Sequence, residues 1–245
     1  MRHYAEQGYA EINRTVFHRE LQKGGSGAFY IEGRGPVTLQ GEPILGHLLF
    51  AHGAGAGQDS AFMRQFVTSL ARCGVQVLTL DFSYMQQMHE SGRRRPPPKV
   101  DKLVDELAQW CRFVEQVLPS PLWVGGKSMG GRVASMLATQ QSVAGVIVAG
   151  YPFHPARTPE KRRLAHWPQV ACPALIIQGE RDPLGTRQEV EGYTLPANVN
   201  VEWLTEGDHD FKPRRSTGLS QQVLIDEAAL LAASFVRACT AASGG

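Results

Sequence analysis

Three side chains in this sequence have types and neighbours suited to nucleophilic chemistry. Ser128 sits in Gly126-Lys127-Ser128-Met129-Gly130, a G-x-S-x-G pattern between the apolar run Leu122 to Gly125 and a helix-like stretch. A serine hydroxyl attacks a carbonyl only when a base takes its proton. His209, in Glu206-Gly207-Asp208-His209-Asp210-Phe211, is a candidate for that base, and Asp182, in Gly179-Glu180-Arg181-Asp182-Pro183, is a candidate to orient its ring. The order Ser, Asp, His along the chain is one of those in which this chemistry occurs.

The surroundings of each residue decide between readings. A nucleophile on a sharp strand-to-helix turn needs small residues two before and two after it, because its backbone is strained and the strand and helix nearly touch; Gly126 and Gly130 meet that need. The same segment ends like a phosphate-binding G-x-x-x-x-G-K-[ST] loop, but Pro121 stands where the first glycine belongs. Glu180 shares a turn with Asp182, and Pro183 fixes that turn in favour of Asp182. Asp208 and Asp210 flank His209, diverge from its ring and read as solvated loop acids.

Acyl transfer also needs donors for a tetrahedral oxyanion. The glycine-rich segment His52 to Gly57 directly follows the apolar run Leu48 to Ala51, and the expected donors are the N–H of Ala54 and the N–H of Met129, the latter at a helix start. Gly53, Gly55 and Asp81 imitate a dinucleotide fingerprint, yet Gln58 occupies its third glycine position. His52 reads as a brace for this loop. His154 either lines the pocket or is an ordinary loop histidine, and Arg93-Arg94-Arg95-Pro96-Pro97-Pro98 reads as a solvated loop, with a hold on an anionic substrate as the alternative.

These residues need a scaffold. Apolar runs at Leu48 to Ala51, Val75 to Leu80, Leu122 to Gly125, Val143 to Ala149, Ala174 to Gln178 and Val199 to Leu204 read as buried strands. Between them, Phe62, Met63, Phe66, Val67 and Leu70 recur at helical spacing after the N-cap candidate Ser60, and a longer stripe runs from Val100 to Leu118. A last helix is expected over about Gln221 to Ala238. Alternating strands and helices indicate an α/β fold with a mainly parallel sheet, residues 46–245 forming the core. Residues 1–45 read as short antiparallel strands (Phe29 to Glu32, Val37 to Gln40), and the whole chain 1–245 as a single domain.

Composition narrows the function. With 25 Lys and Arg against 23 Asp and Glu, the net charge of +2 disfavours nucleic acid as a partner. The longest near-continuous apolar stretch, Val143 to Phe153, is about half of the ~20 residues a bilayer span requires, and the start MRHYAEQGYA has no apolar signal core. Four widely separated cysteines without a C-x-x-C pair suit reduced thiols, so a cytoplasmic location is expected.

The segments LFAHGAGAGQDSAFM, LDFSYM with RRRPPP, GGKSMGGRVASM, AGYPFHP, QGERDPLGTR and GDHDFKPR resemble the α/β-hydrolase family. More narrowly they resemble a bacterial group of serine hydrolases sharing the hydrolase-like domain of a testis-expressed protein and of a histone acetyltransferase complex subunit. Dienelactone-hydrolase-like enzymes are similar more distantly and usually carry Cys where Ser128 stands. The resemblance implies a mostly parallel, eight-stranded sheet with helices on both faces and a minimal lid. It also implies Ser128 as nucleophile, His209 as general base and Asp182 as its orienter. The expected activity is hydrolysis of small-molecule carboxylic esters or thioesters through an acyl-enzyme, without metal or cofactor. The related non-enzymatic subunits imply a second reading, a binding or scaffold protein on the same fold.

Overall fold

The computed structural model describes residues 2–118 and 122–243; Pro121, which argued against a phosphate-binding loop, lies outside them. The chain opens with helix α1 (Arg2–Glu6), strand β1 (Ala10–Ile12) and helix α2 (Arg14–Gln22), followed by the hairpin β2 (Gly27–Ile31) and β3 (Gly35–Gln40). Then come β4 (Gly46–Ala51), α3 (Ala61–Arg72), β5 (Val75–Leu80), α4 (Ser83–Ser91), α5 (Val100–Glu115), β6 (Trp123–Lys127) and α6 (Met129–Leu137). The last part holds β7 (Gly145–Ala149), β8 (Ala174–Gly179), α7 (Arg187–Val190), β9 (Val199–Leu204) and α8 (Gln221–Ser243).

The nine strands among the described residues join one sheet in the order β1-β2-β3-β5-β4-β6-β7-β8-β9. From β5 to β9 every neighbouring pair is parallel. Parallel strands covered on both faces favour apolar side chains in both directions, which is why β7 and most of β4 and β8 are apolar; β9, expected to be buried like the others, is an edge strand that exposes Asn200 and Glu202. Leu49 and Ala51 turn to the face covered by α5 and α6, while Leu48 and Phe50 turn to the face covered by α3 and α8. After β4 the chain moves outward to β5 and then returns to the other side of β4 to lay down β6. The strand order therefore reverses at β4 and β6, and the loops leaving their carboxyl ends diverge to leave a crevice. Those loops carry Ala54 and Ser128.

The amino-terminal region differs from expectation. The hairpin β2–β3 is antiparallel, with Phe29 opposite Val37, and β3 runs antiparallel to β5. However, β1 is a ninth strand, parallel to β2, and two helices share this region with the strands. Helix α2 is capped by Asn13, whose side chain accepts from the Val16 N–H, and it buries Phe17 and Leu21, one turn apart. Phe17 stacks on Phe113 of α5 at 5.7 Å. Helix α5 ends at Glu115, short of the Leu118 that its stripe suggested, and α8 continues to Ser243.

Helix α1 is anchored by one polar contact. Tyr4 is buried and its hydroxyl donates to Asp81 Oδ2 at 2.9 Å, while Asp81 Oδ1 accepts the Gln58 N–H at 2.8 Å. Removing a donor from a buried carboxylate leaves a desolvated acceptor short of a partner. Tyr4→Phe is therefore expected to lower unfolding free energy by about 1–3 kcal/mol in urea titration. An unchanged midpoint would contradict this anchoring role.

Candidate functional site

The crevice is built around a close approach of backbones. A Cβ at Gly126 would lie 2.6 Å from the Ala51 carbonyl oxygen, and one at Gly130 would lie 2.7 Å from the His52 carbonyl oxygen. Only glycine lets β4, the end of β6 and the start of α6 meet this closely. Ser128 lies between them with φ 52° and ψ −113°, a conformation non-glycine residues rarely adopt. Its amide donates to the Ala149 carbonyl at 3.0 Å, which holds the turn against β7. The hydroxyl is presented in a hollow of about 430 Å³ lined by Gly53, Ala54, Phe62, Lys127 and His209 among others.

Two further turns bring the polar partners. His209 Nε2 lies 2.9 Å from Ser128 Oγ, and its Nδ1 lies 2.7 Å from Asp182 Oδ2. An ionised carboxylate only accepts, so Nδ1 carries the proton towards Asp182 and Nε2 is left to accept from the serine hydroxyl. Asp182 is fully buried. Its Oδ2 also accepts from Gln178 Nε2 at 2.9 Å, and its Oδ1 accepts from the Leu184 N–H at 2.8 Å. Each oxygen is thereby satisfied without water, as a buried carboxylate requires. Glu180 turns away, accepting from Arg187 at 2.8 Å and from the Glu206 amide at 3.1 Å; the arginine holds its carboxyl below the usual carboxylate range.

The loop bearing His209 is fixed at both ends. Glu206 and Phe211 have φ near 60°, and Phe211 is fully buried. Asp208, read from the sequence as a solvated acid, instead accepts the amides of Asp210 and Lys212 through Oδ1 and so closes the turn around His209. The loop after β4 is braced in the same manner. The His52 ring donates from Nδ1 to the Gly53 carbonyl at 2.6 Å and accepts the Phe82 amide at Nε2 at 3.2 Å. Nε2 is thus an acceptor, and the 3.9 Å approach of Asp81 is not an ion pair. Burial pushes the imidazole pKa down, consistent with a neutral ring. Tyr84 donates to the Ala54 carbonyl at 3.0 Å. Ala54 lines the hollow, and Met129 opens α6, where the first-turn amides have no partner within the helix. His154 is buried, sits against the Pro155 carbonyl and is not among the residues lining this hollow. Among the described residues, no group of three His, Cys, Asp or Glu side chains converges as metal ligands would.

Gln178 and Lys127 were not legible as site residues. Gln178 bridges Asp182 to the Tyr151 amide and to the Gly185 carbonyl; its one local signal is that it is the polar residue in the buried run Ala174–Gly179. Lys127 is buried beside Ser128, donates to the His209 carbonyl at 2.7 Å, approaches Asp210 Oδ1 at 3.5 Å and lies over the Phe62 ring. Burial lowers its pKa from 10.5 to about 8, against the opposing pull of Asp210 and Asp182. The folded chain thus gives up this proton more readily than the unfolded chain. Its contribution to stability grows as pH rises from about 8 towards 10.5 and is lost as pH falls through about 8. Urea unfolding of wild type and Lys127→Met at about pH 7.5 and pH 9.5 should show the difference moving in favour of wild type at the higher pH, by at most ~1.4 kcal/mol per unit. A difference independent of pH would contradict the desolvated ammonium.

Known proteins share this architecture. A dienelactone hydrolase from Anabaena variabilis is 20% identical with a TM-score of 0.65, covering 86% of this chain and 96% of that one. Est1E from Butyrivibrio proteoclasticus is 12% identical with a TM-score of 0.62, covering 86% and 99%. An alpha-beta serine hydrolase homologue from Coxiella burnetii is 18% identical with a TM-score of 0.61, covering 82% and 96%. At such identities the likeness is one of fold. No curated protein matches the chain in sequence. The family described as the alpha/beta hydrolase domain matches residues 45–237, a span that takes in β4 to β9 and the three loops carrying Ser128, Asp182 and His209. The chain therefore belongs to the alpha/beta hydrolase family.

Proposed function

We propose that this protein is a serine hydrolase that cleaves carboxylic esters or thioesters through an acyl-enzyme. The observation that carries the reading is the continuous hydrogen-bonded chain from Ser128 Oγ to His209 Nε2 at 2.9 Å and from His209 Nδ1 to Asp182 Oδ2 at 2.7 Å. In this reading Ser128 Oγ attacks the carbonyl carbon while its proton passes to Nε2. The charge on the tetrahedral oxygen is met by the N–H groups of Ala54 and Met129. Collapse breaks the carbon–oxygen or carbon–sulfur bond, and Nε2 returns the proton to the leaving alkoxide or thiolate. Water then loses a proton to Nε2 and attacks the acyl carbon; the bond to Ser128 Oγ breaks, Nε2 returns the proton to Oγ, and the carboxylic acid leaves. Asp182 stays ionised throughout and stabilises the imidazolium.

Access supports small or exposed substrates. Residues 150–173, between β7 and β8, contain only the 3-10 turn Trp167–Gln169 and no lid helix. Among the described residues no helix is long and apolar enough to cross a membrane. No disulfide joins Cys73, Cys111, Cys172 and Cys239, which suits the reducing cytoplasmic setting we assign to the activity.

Hydrolysis of p-nitrophenyl acetate tests the reading. Ser128→Ala, His209→Ala and Asp182→Asn should each retain the far-UV circular dichroism of wild type and lose kcat by about 10³-fold or more. Full turnover in Ser128→Ala would contradict the mechanism, and a folded wild type that cleaves no ester or thioester would favour a binding role for the same fold.

A further inference from the structure

Beyond the hollow that holds Ser128, a second hollow of about 400 Å³ lies across a shared rim made of Gly55, Ala56, Ser60 and Ala61. Met85 and Met88 give it an apolar wall, and Arg64, Arg93 and Arg94 line it. Together the two hollows present five cationic side chains, these three arginines with Lys127 and Lys212, against two carboxylates, Asp59 and Asp210. The two lining carboxylates do not balance the cations: Asp210 already faces Lys127 and Lys212, and the buried Asp81 and Asp182 are taken up by Tyr4, Gln58, Gln178 and His209, which leaves Arg93 and Arg94 as exposed charges of the second hollow.

The local backbone presents these groups. Gly92, at φ 66°, ends α4 and turns the chain, and Pro96 to Pro98 stiffen the segment that follows. Arg95 is tied to Gln87 Oε1 at 3.1 Å, while Arg93 and Arg94 project at the second hollow. Arg64 is held by the Asp59 carbonyl. On the reacting side, the Lys127 ammonium is already engaged by the His209 carbonyl and by Asp210, so the cations left to meet a further anion are those of the second hollow. Guanidinium forks bind carboxylate and phosphate with two parallel hydrogen bonds, which an ordinary solvated loop would not exploit.

We propose that the physiological substrate is an ester or thioester carrying a second, anionic group, a carboxylate or a phosphate, which Arg93 and Arg94 bind across the rim while the acyl carbon sits at Ser128. This deepens the proposed function and rests on it. The apolar wall of Met85 and Met88 suits the organic stem linking the two ends.

The test compares kcat/KM for matched esters at low ionic strength. Phenyl acetate, 4-acetoxybenzoate and 4-acetoxyphenyl phosphate place no charge, a carboxylate or a phosphate on the leaving group; p-nitrophenyl butyrate and p-nitrophenyl hemisuccinate make the same comparison on the acyl side. At least one anionic ester should exceed its neutral partner by about 10-fold or more, chiefly through KM, and the preference should shrink at about 0.5 M NaCl. The arm that shows it identifies carboxylate or phosphate as the recognised group. In Arg93→Gln/Arg94→Gln the preference should fall by about 10-fold. Arg72→Gln/Arg237→Gln removes the same charge from the last turn of α3 and the later turns of α8, outside the lining of both hollows, and should keep the preference. Anionic and neutral esters within about two-fold of each other in every pair, or a preference surviving Arg93→Gln/Arg94→Gln, or one lost equally in the control pair, would overturn the inference. Ser128-dependent turnover of the neutral esters without any preference would overturn this inference alone. No turnover of any of the five would overturn the proposed function with it.

Discussion

Three backbones meet beside Ser128, and the rest of the site follows from that contact. Gly126 and Gly130 have no room for a Cβ because the Ala51 and His52 carbonyls lie in the way. The contact forces the chain at Ser128 into φ 52° and lifts the hydroxyl out of the sheet. It also brings the loop after β4 alongside the first turn of α6. Strain of this kind, of order 1–3 kcal/mol, persists only where the surrounding structure over-determines it. Here the two parallel neighbours β4 and β7 and the buried faces of α3, α5, α6 and α8 supply that determination.

The polar side of the site obeys a second constraint, that buried charge must be matched. Asp182 has no solvent contact, and its two oxygens are met by Gln178, Leu184 and His209. Lys127 places a compensating ammonium under the His209 loop, and Asp208 ties that loop closed. Asp81 performs the same service on the other flank, taking Gln58 from the loop after β4 and Tyr4 from the amino-terminal helix. The amino-terminal residues lie outside the family match, yet they end on the carboxylate that braces this loop.

Legibility in the sequence followed physical locality. The parallel strands were readable to within a few residues because each is a largely apolar run, although β9 is a half-exposed edge strand with Asn200 and Glu202 in solvent. Ser128, Asp182 and His209 could be located because each closes such a run, at β6, β8 and β9. The ninth strand and the first two helices were not readable: β1 has three residues, and the burial of Tyr4 depends on Asp81, far along the chain. Gln178, Tyr84 and Lys127 act through contacts with distant backbone, and residue type alone does not announce such a contact. The loop acids illustrate the same limit, since Asp208 is defined by the amides it caps rather than by its place next to His209.

The geometry around Ser128 should yield an activated serine. Intact-mass analysis after treatment with a fluorophosphonate reads that property directly, whatever the natural ester is. The expected result is a single adduct on the wild-type chain that disappears in both Ser128→Ala and His209→Ala. A folded wild type that takes no adduct, or an adduct that survives in Ser128→Ala, would contradict the account.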